Sequence, residues 1–169
     1  CLGLFEDFDA LHFFQDYLDQ HLTIIPHNAA LFGYQVLIDE DENILEELEN
    51  YLGASLDVSI EEIERKVHEL SGIFIPAHID RPRNSLFSQL GFFPPELKVD
   101  ALQISKLANE IAIREKYKIS SNITIVKFSD THFPSDLGKI YTNFEMENAT
   151  FDEIRKALTR EDGRNVWIP

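Results

Sequence analysis

Between residues 59 and 158, short apolar β-rich runs alternate with amphipathic segments of helical period. That alternation restricts the fold more than any other feature of the chain. Ser59 and Glu62 have the spacing of a capping box, and Ile60, Ile63, Val67 and Leu70 then fall on one helical face before Gly72. IFIPA (73–77) follows at once, too short for a helix and suited to a strand covered on both faces. VDALQIS (99–105) predicts a strand, LANEIAIREKYK (107–118) a helix and ITIVKF (123–128) another strand. A last helix starts at Thr150, with Glu153 completing a second capping box and Phe151, Ile154 and Leu158 facing the core. Strands alternating with helices of this length predict an α/β fold of parallel βαβ units, in an open sheet or a barrel.

The first third of the chain is less regular. Leu2 to Phe5 predict a strand, and Leu11, Phe14, Leu18 and Leu22 recur at helical spacing after it. Residues 35–38 (QVLI) and 44–48 (ILEEL) flank DEDEN, a polar turn that closes a hairpin or leads into a second helix. With no repeat, low-complexity tract or flexible linker, residues 1–169 are expected to form one domain or part of one.

Charge narrows the partners. Residues 1–70 hold 17 acids and 2 bases, whereas residues 71–169 hold 13 of each, so the whole net charge of −15 lies in the first part. Such a surface repels phosphate backbones at long range, which argues against a long duplex in a basic groove and toward small or single-stranded substrates. The ordinary role of the acidic face is solubility. One cysteine excludes a disulfide framework and a cysteine-built zinc or iron–sulfur site. No apolar run approaches the roughly 18 residues of a membrane helix, and CLGLFEDFDA lacks the basic start of a secretory signal. A cytoplasmic location is therefore expected. Leu2 to Phe5 read as a buried strand rather than the polar tether that follows a lipidated cysteine, and a start without methionine implies a longer protein.

Chemistry collects where strands end. In parallel α/β folds the loops at the carboxyl ends of strands gather polar side chains over a rigid base. IFIPA is followed by His78, Asp80 and Arg81, and ITIVKF by Ser129, Asp130, Thr131 and His132. An Asp-x-His pair offers a hard oxygen and an imidazole nitrogen to a metal, and an arginine can hold phosphate through two parallel hydrogen bonds. Each residue alone also has a structural use: His78 capping a turn, Asp130 starting one, His132 as a half-buried ring. His12, His21, His27 and His68 lie on helix surfaces or in a loop and carry less. Ser129 lacks a glycine-framed elbow, no glycine-rich phosphate loop exists, and DEDEN lacks the glycine and distant glutamate of a calcium loop.

IPAHIDRPRNSLFSQLGFFPPELKVDALQIS (75–105) resembles the corresponding stretch of the PHP family, the polymerase and histidinol phosphatase group of metal-dependent phosphoesterases. KFSDTHFPSDLGKIYTNFEME (127–147) is similar to that family's closing S-S-D-A-H motif with its following D-I-G. LGLFEDFDALHFFQDYLDQHL and the segment from NAALFG to VLIDEDENIL also resemble the subgroup with the PAHIDRP signature, so the likeness extends over essentially the whole chain. It implies the C-terminal part of a distorted seven-stranded (β/α) barrel, with His78, Asp130 and His132 as metal ligands and Arg81 as a contact for substrate phosphate. Zinc, manganese or iron would activate a water for phosphate-ester hydrolysis.

The same resemblance puts the opening H-x-H, further aspartate and histidine ligands and a bridging glutamate ahead of Cys1. His78, Asp130 and His132 would then serve three different ions, and one protein ligand per ion holds metal weakly. Residues 1–169 alone are accordingly expected to be inactive, with the full-length protein a phosphatase or nuclease. A non-catalytic PHP-like scaffold or binding module is the alternative. A barrel without its first strands would leave edges open, so pairing between copies is expected.

Overall fold

The computed structural model describes all of residues 1–169. In chain order the elements are β1 (Leu2–Leu4), α1 (Phe8–His21), α2 (Ala29–Phe32), β2 (Val36–Ile38), β3 (Ile44–Glu47), α3 (Ile60–Glu69) and β4 (Ile73–Ile75). There follow α4 (Leu86–Leu90), β5 (Leu102–Gln103), α5 (Glu110–Tyr117), β6 (Ile125–Val126), β7 (Asn143–Glu145), α6 (Phe151–Thr159) and β8 (Asn165–Trp167). None of the helices is long and apolar enough to cross a membrane.

The chain divides into two compact units, residues 1–11 with 60–169, and residues 12–59. Sequence reasoning drew no boundary there, because no glycine- or proline-rich linker marks it and the division falls inside α1.

In the larger unit, α3 opens with Glu61 and Glu62 and closes with Lys66 and His68, charges that suit the two ends of its dipole. The turn that follows it closes at Gly72, whose N–H donates to the Val67 carbonyl at 2.8 Å. β4 is buried throughout. Ile73 and Ile75 join Ala101, Val126, Ala157, Leu158 and Val166 in one apolar cluster, with Leu2, Phe128 and Phe144 packed against it. On the other face of the strand Phe74 meets the ring of His68 edge-on, with centroids 6.5 Å apart. Fully buried side chains of this size each stabilise the fold by about 1.5–3 kcal/mol.

The strand pairing departs from the expected parallel sheet, and no closed barrel is present. There are four two-stranded sheets, of which only β5–β6 is parallel; β1–β4, β2–β3 and β7–β8 are antiparallel. The parallel βαβ succession survives from β4 to β6. Asp100 and Gln103 donate backbone N–H groups to the carbonyls of Phe74 and Pro76, so β4 and β5 run the same way beside each other. Pro76 has no N–H to return, which leaves that ladder incomplete. β1 lies on the far edge of β4 in antiparallel register, Leu2 opposite Ile75. Hydrophobic periodicity fixes which residues are strands but not which neighbour each strand takes.

The smaller unit is built from local pairing. β2 and β3 form the hairpin left open by the sequence, closed by Asp39, whose carboxylate accepts from the backbone N–H groups of Asp41 and Asn43. Residues 22–27 run antiparallel to 49–56, with bridges at Leu22–Leu56 and Pro26–Asn50. Not one of residues 12–59 is buried.

Candidate functional site

Three parallel strand ends converge in the larger unit. Beyond β4 the chain is held by Ile79, whose N–H donates to the Gln103 carbonyl at 3.0 Å, and by Asp80, whose carboxylate accepts from the Ser105 N–H at 2.7 Å. Beyond β5, Ile104 donates to the Val126 carbonyl at 3.1 Å. These bonds fix the HIDR and SDTH loops to one rigid base.

A cavity of ≈ 330 Å³ opens over the carboxyl ends of β4, β5 and β6, and its wall includes His78, Arg81, Asp130 and His132. All four residues singled out from the sequence therefore border one hollow. Two of them sit in the left-handed backbone region, His78 at φ 31° and Asp130 at φ 47°. Such strain costs roughly 1–3 kcal/mol per residue and clusters at functional sites. His78 Nδ1 is buried and has no hydrogen-bond partner. A buried ring nitrogen in that condition is unfavourable unless something else takes its lone pair or proton, so the atom suits a metal ligand.

Asp130 is ion-paired with Arg81 through Nη2, and both side chains are partly exposed. Arg81, expected to face phosphate, thus rests on a candidate metal-binding carboxylate. Thr131 donates to the Ser129 hydroxyl at 2.7 Å, which ties down the loop between Asp130 and β6. As a set, the donors do not close on one ion: no three His, Cys, Asp or Glu side chains converge on a common point. Each fits a ligand role singly; together they do not complete one coordination sphere.

Gln103 and Lys106 also line this cavity, and sequence reasoning missed both. Gln103 is 6% exposed, between the fully buried Leu102 and Ile104. A long amide inside an otherwise apolar strand was the available signal, since a strand without function would place a hydrocarbon there. His68 differs as well. Placed by sequence on a polar helix face, it lies between carboxylates, Nδ1 2.5 Å from Glu64 Oε1 and Nε2 2.9 Å from Asp100 Oδ2.

The chain superposes on the lesion-specific endonuclease Q of Pyrococcus furiosus with a TM-score of 0.72 and 23% identity, covering 97% of this chain and 36% of that one. It superposes on an endonuclease Q complexed with a 27-mer duplex, an abasic lesion at its active site, with a TM-score of 0.60 and 21% identity, covering 96% and 36%. Among curated proteins it is 28% identical over 115 residues to the uncharacterised protein YqxK of Bacillus subtilis (strain 168), covering 62% of this chain and 28% of that protein. The chain therefore spans about a third or less of the length of each of these relatives. Its fold is the mixed α/β fold of the endonuclease Q structures. Residues 107–162, which include Asp130 and His132, match the family model described as PHP-associated. That match takes in the closing motif around Asp130 and His132, which is the segment whose likeness to PHP proteins was expected from the sequence.

Proposed function

We propose that this chain is the C-terminal part of a metal-dependent phosphoesterase of nuclease type. One observation carries the reading: His78, Asp130 and His132 border a single cavity at the ends of parallel strands, where His78 holds a buried nitrogen without a partner. His78, Asp130 and His132 would each give one ligand to a different divalent ion, the remaining ligands coming from outside residues 1–169. Bound ions of this kind activate water and neutralise phosphoryl oxygens. Arg81 holds Asp130 in its present orientation and can turn to a substrate phosphate when that carboxylate is taken by a metal. Gln103 and Lys106 add an amide and a cation to the same wall.

The substrate class favoured is a phosphodiester in nucleic acid. A protein of the same fold is complexed with a lesion-bearing duplex, so the expectation that long duplexes are excluded has no support. The acidity behind that expectation is confined to the first 70 residues, and residues 71–169, which form the cavity, carry as many bases as acids. A non-catalytic scaffold is the second reading. It is favoured by the Arg81–Asp130 pair, which satisfies the carboxylate without metal.

The test uses the longest protein in which this chain occurs, loaded with manganese or zinc and offered an abasic duplex, an undamaged duplex and p-nitrophenyl phosphate. Asp130→Ala and His132→Ala should each lower cleavage at least roughly a hundredfold, in the range set by loss of a metal ligand or its support, and lower bound metal by elemental analysis. Circular dichroism should stay unchanged. Full activity in either variant, or an H-x-H absent from that longer sequence, sinks the enzyme in favour of the scaffold.

A further inference from the structure

Residues 12–59 contain ten Asp and Glu and neither Lys nor Arg. They also show large apolar side chains to solvent, among them Ile24 at 68%, Ile44 at 67% and Leu52 at 58% exposure. Soluble surfaces seldom combine such one-sided charge with contiguous apolar area unless a partner covers it. We propose that this unit is a docking surface for a basic peptide segment of another protein, one that carries apolar side chains between its cations. The proposal does not depend on the phosphoesterase reading.

A groove of ≈ 580 Å³ is its seat, lined by the apolar Leu22, Ile24 and Leu52 and by the acidic Asp19, Glu46 and Glu49. That volume lies within the roughly 300–1,000 Å³ of sites that enclose a compact ligand or a few side chains. The walls are preformed by backbone bonds: Thr23 N–H to the Ser55 carbonyl at 3.0 Å, His27 N–H to Glu49 at 2.8 Å and Tyr51 N–H to Ile25 at 2.8 Å. His21 Nδ1, 2.8 Å from Asp57 Oδ1, ties the end of α1 to the same sheet of chain. Beside the groove, every residue of β3 is exposed. A two-stranded ribbon open on both faces is marginally stable in water, so a ligand that covers it adds stability as well as contact.

Charge selects the occupant. A nucleic acid is repelled by ten carboxylates with neither Lys nor Arg among them, and a second copy would bring the same negative face against itself. A metal ion finds no three converging donors. A cationic peptide gains steering from Asp19, Glu46 and Glu49, and its apolar side chains replace water over Leu22, Ile24 and Leu52.

The experiment titrates a fluorescein-labelled peptide of alternating Lys and Leu with the intact chain and follows anisotropy at two salt concentrations. Saturable binding is expected. Asp19→Asn/Glu46→Gln/Glu49→Gln should weaken it roughly tenfold, whereas Glu40→Gln/Asp41→Asn/Glu42→Gln, an equal charge change in the β2–β3 turn, should alter it less than roughly twofold. Ile24→Ser/Leu52→Ser should weaken binding roughly fivefold, and a Lys/Ser peptide should bind at least roughly tenfold more weakly than the Lys/Leu peptide. Equal losses in the two carboxylate triples mean diffuse attraction and overturn the site. So does a Lys/Ser peptide that binds as well. Sedimentation showing the free chain dimerised, with peptide affinity falling as the dimer forms, assigns the groove to a second copy and also overturns the proposal.

Discussion

Gly72 stands at a close approach that admits no other residue. A Cβ there would lie 2.7 Å from Val67 Cγ1, 2.8 Å from Phe5 Cε1 and 2.9 Å from the Val67 carbonyl oxygen. Val67 is fully buried and its carbonyl already accepts the Gly72 N–H, so neither atom can give way without loss of packing or of that bond. Alanine would reduce the freedom of the unfolded chain, a gain of about 0.4–1 kcal/mol, but overpacking here costs about 1–3 kcal/mol. Gly72→Ala should therefore lower the urea midpoint of the larger unit; an unchanged midpoint would show that the approach relaxes freely. At this scale the sequence was informative where polar residues follow strands: His78, Asp130 and His132, read as candidates from their positions, border one cavity. It was uninformative where a side chain's partner is distant in the chain. His68 binds Asp100, 32 residues on, and Arg81 binds Asp130, 49 residues on, and no local pattern encodes either meeting.

At the scale of elements, capping was legible and its details were not. Thr150 does cap α6, its hydroxyl accepting from the Glu153 N–H at 3.3 Å. The Glu153 carboxylate does not return to the cap. It grips Arg164 at 2.9 and 3.0 Å and accepts from the Glu147 N–H, which joins α6 to the segments flanking the antiparallel β7–β8 pair. The Arg164 hydrogen bonds, with help from that N–H, hold the Glu153 carboxyl down at about 2, against about 4.3 in an unfolded chain. A depressed carboxyl stabilises the fold fully above its unfolded value, and that contribution disappears as pH falls toward the folded value. Wild-type stability should then decline between about pH 4.3 and about pH 2. Glu153→Gln should be less stable at pH 7 and should lose less over that interval. Thermal melts of both proteins at pH 7, 4 and 3 check this, and parallel pH profiles would exclude Glu153 as the group responsible. Strand pairing was the other illegible matter: β1 and β4 are separated by residues 5–72, and an apolar triplet such as LGL carries no mark of its partner's direction.

Across the whole molecule, burial and charge divide the chain in the same way. The larger unit holds every buried residue, including Ile73, Phe74, Ile75 and Leu102 at 1% exposure or less, whereas residues 12–59 bury none and carry ten acids with neither Lys nor Arg. Local stability follows buried apolar contact, so the two units should open independently and at different free energies. Amide hydrogen exchange should therefore be complete across residues 22–56 while 73–75 and 101–104 remain protected. Like charges within a Debye length, about 10 Å at 0.1 M salt, repel less as salt rises. Moving from low to moderate ionic strength should slow exchange in residues 12–59 more than elsewhere, and a Lys/Leu peptide should slow it further in residues 19–24 and 46–52. Comparable protection of both units in the absence of peptide would show that residues 12–59 draw stability from something other than burial and local pairing.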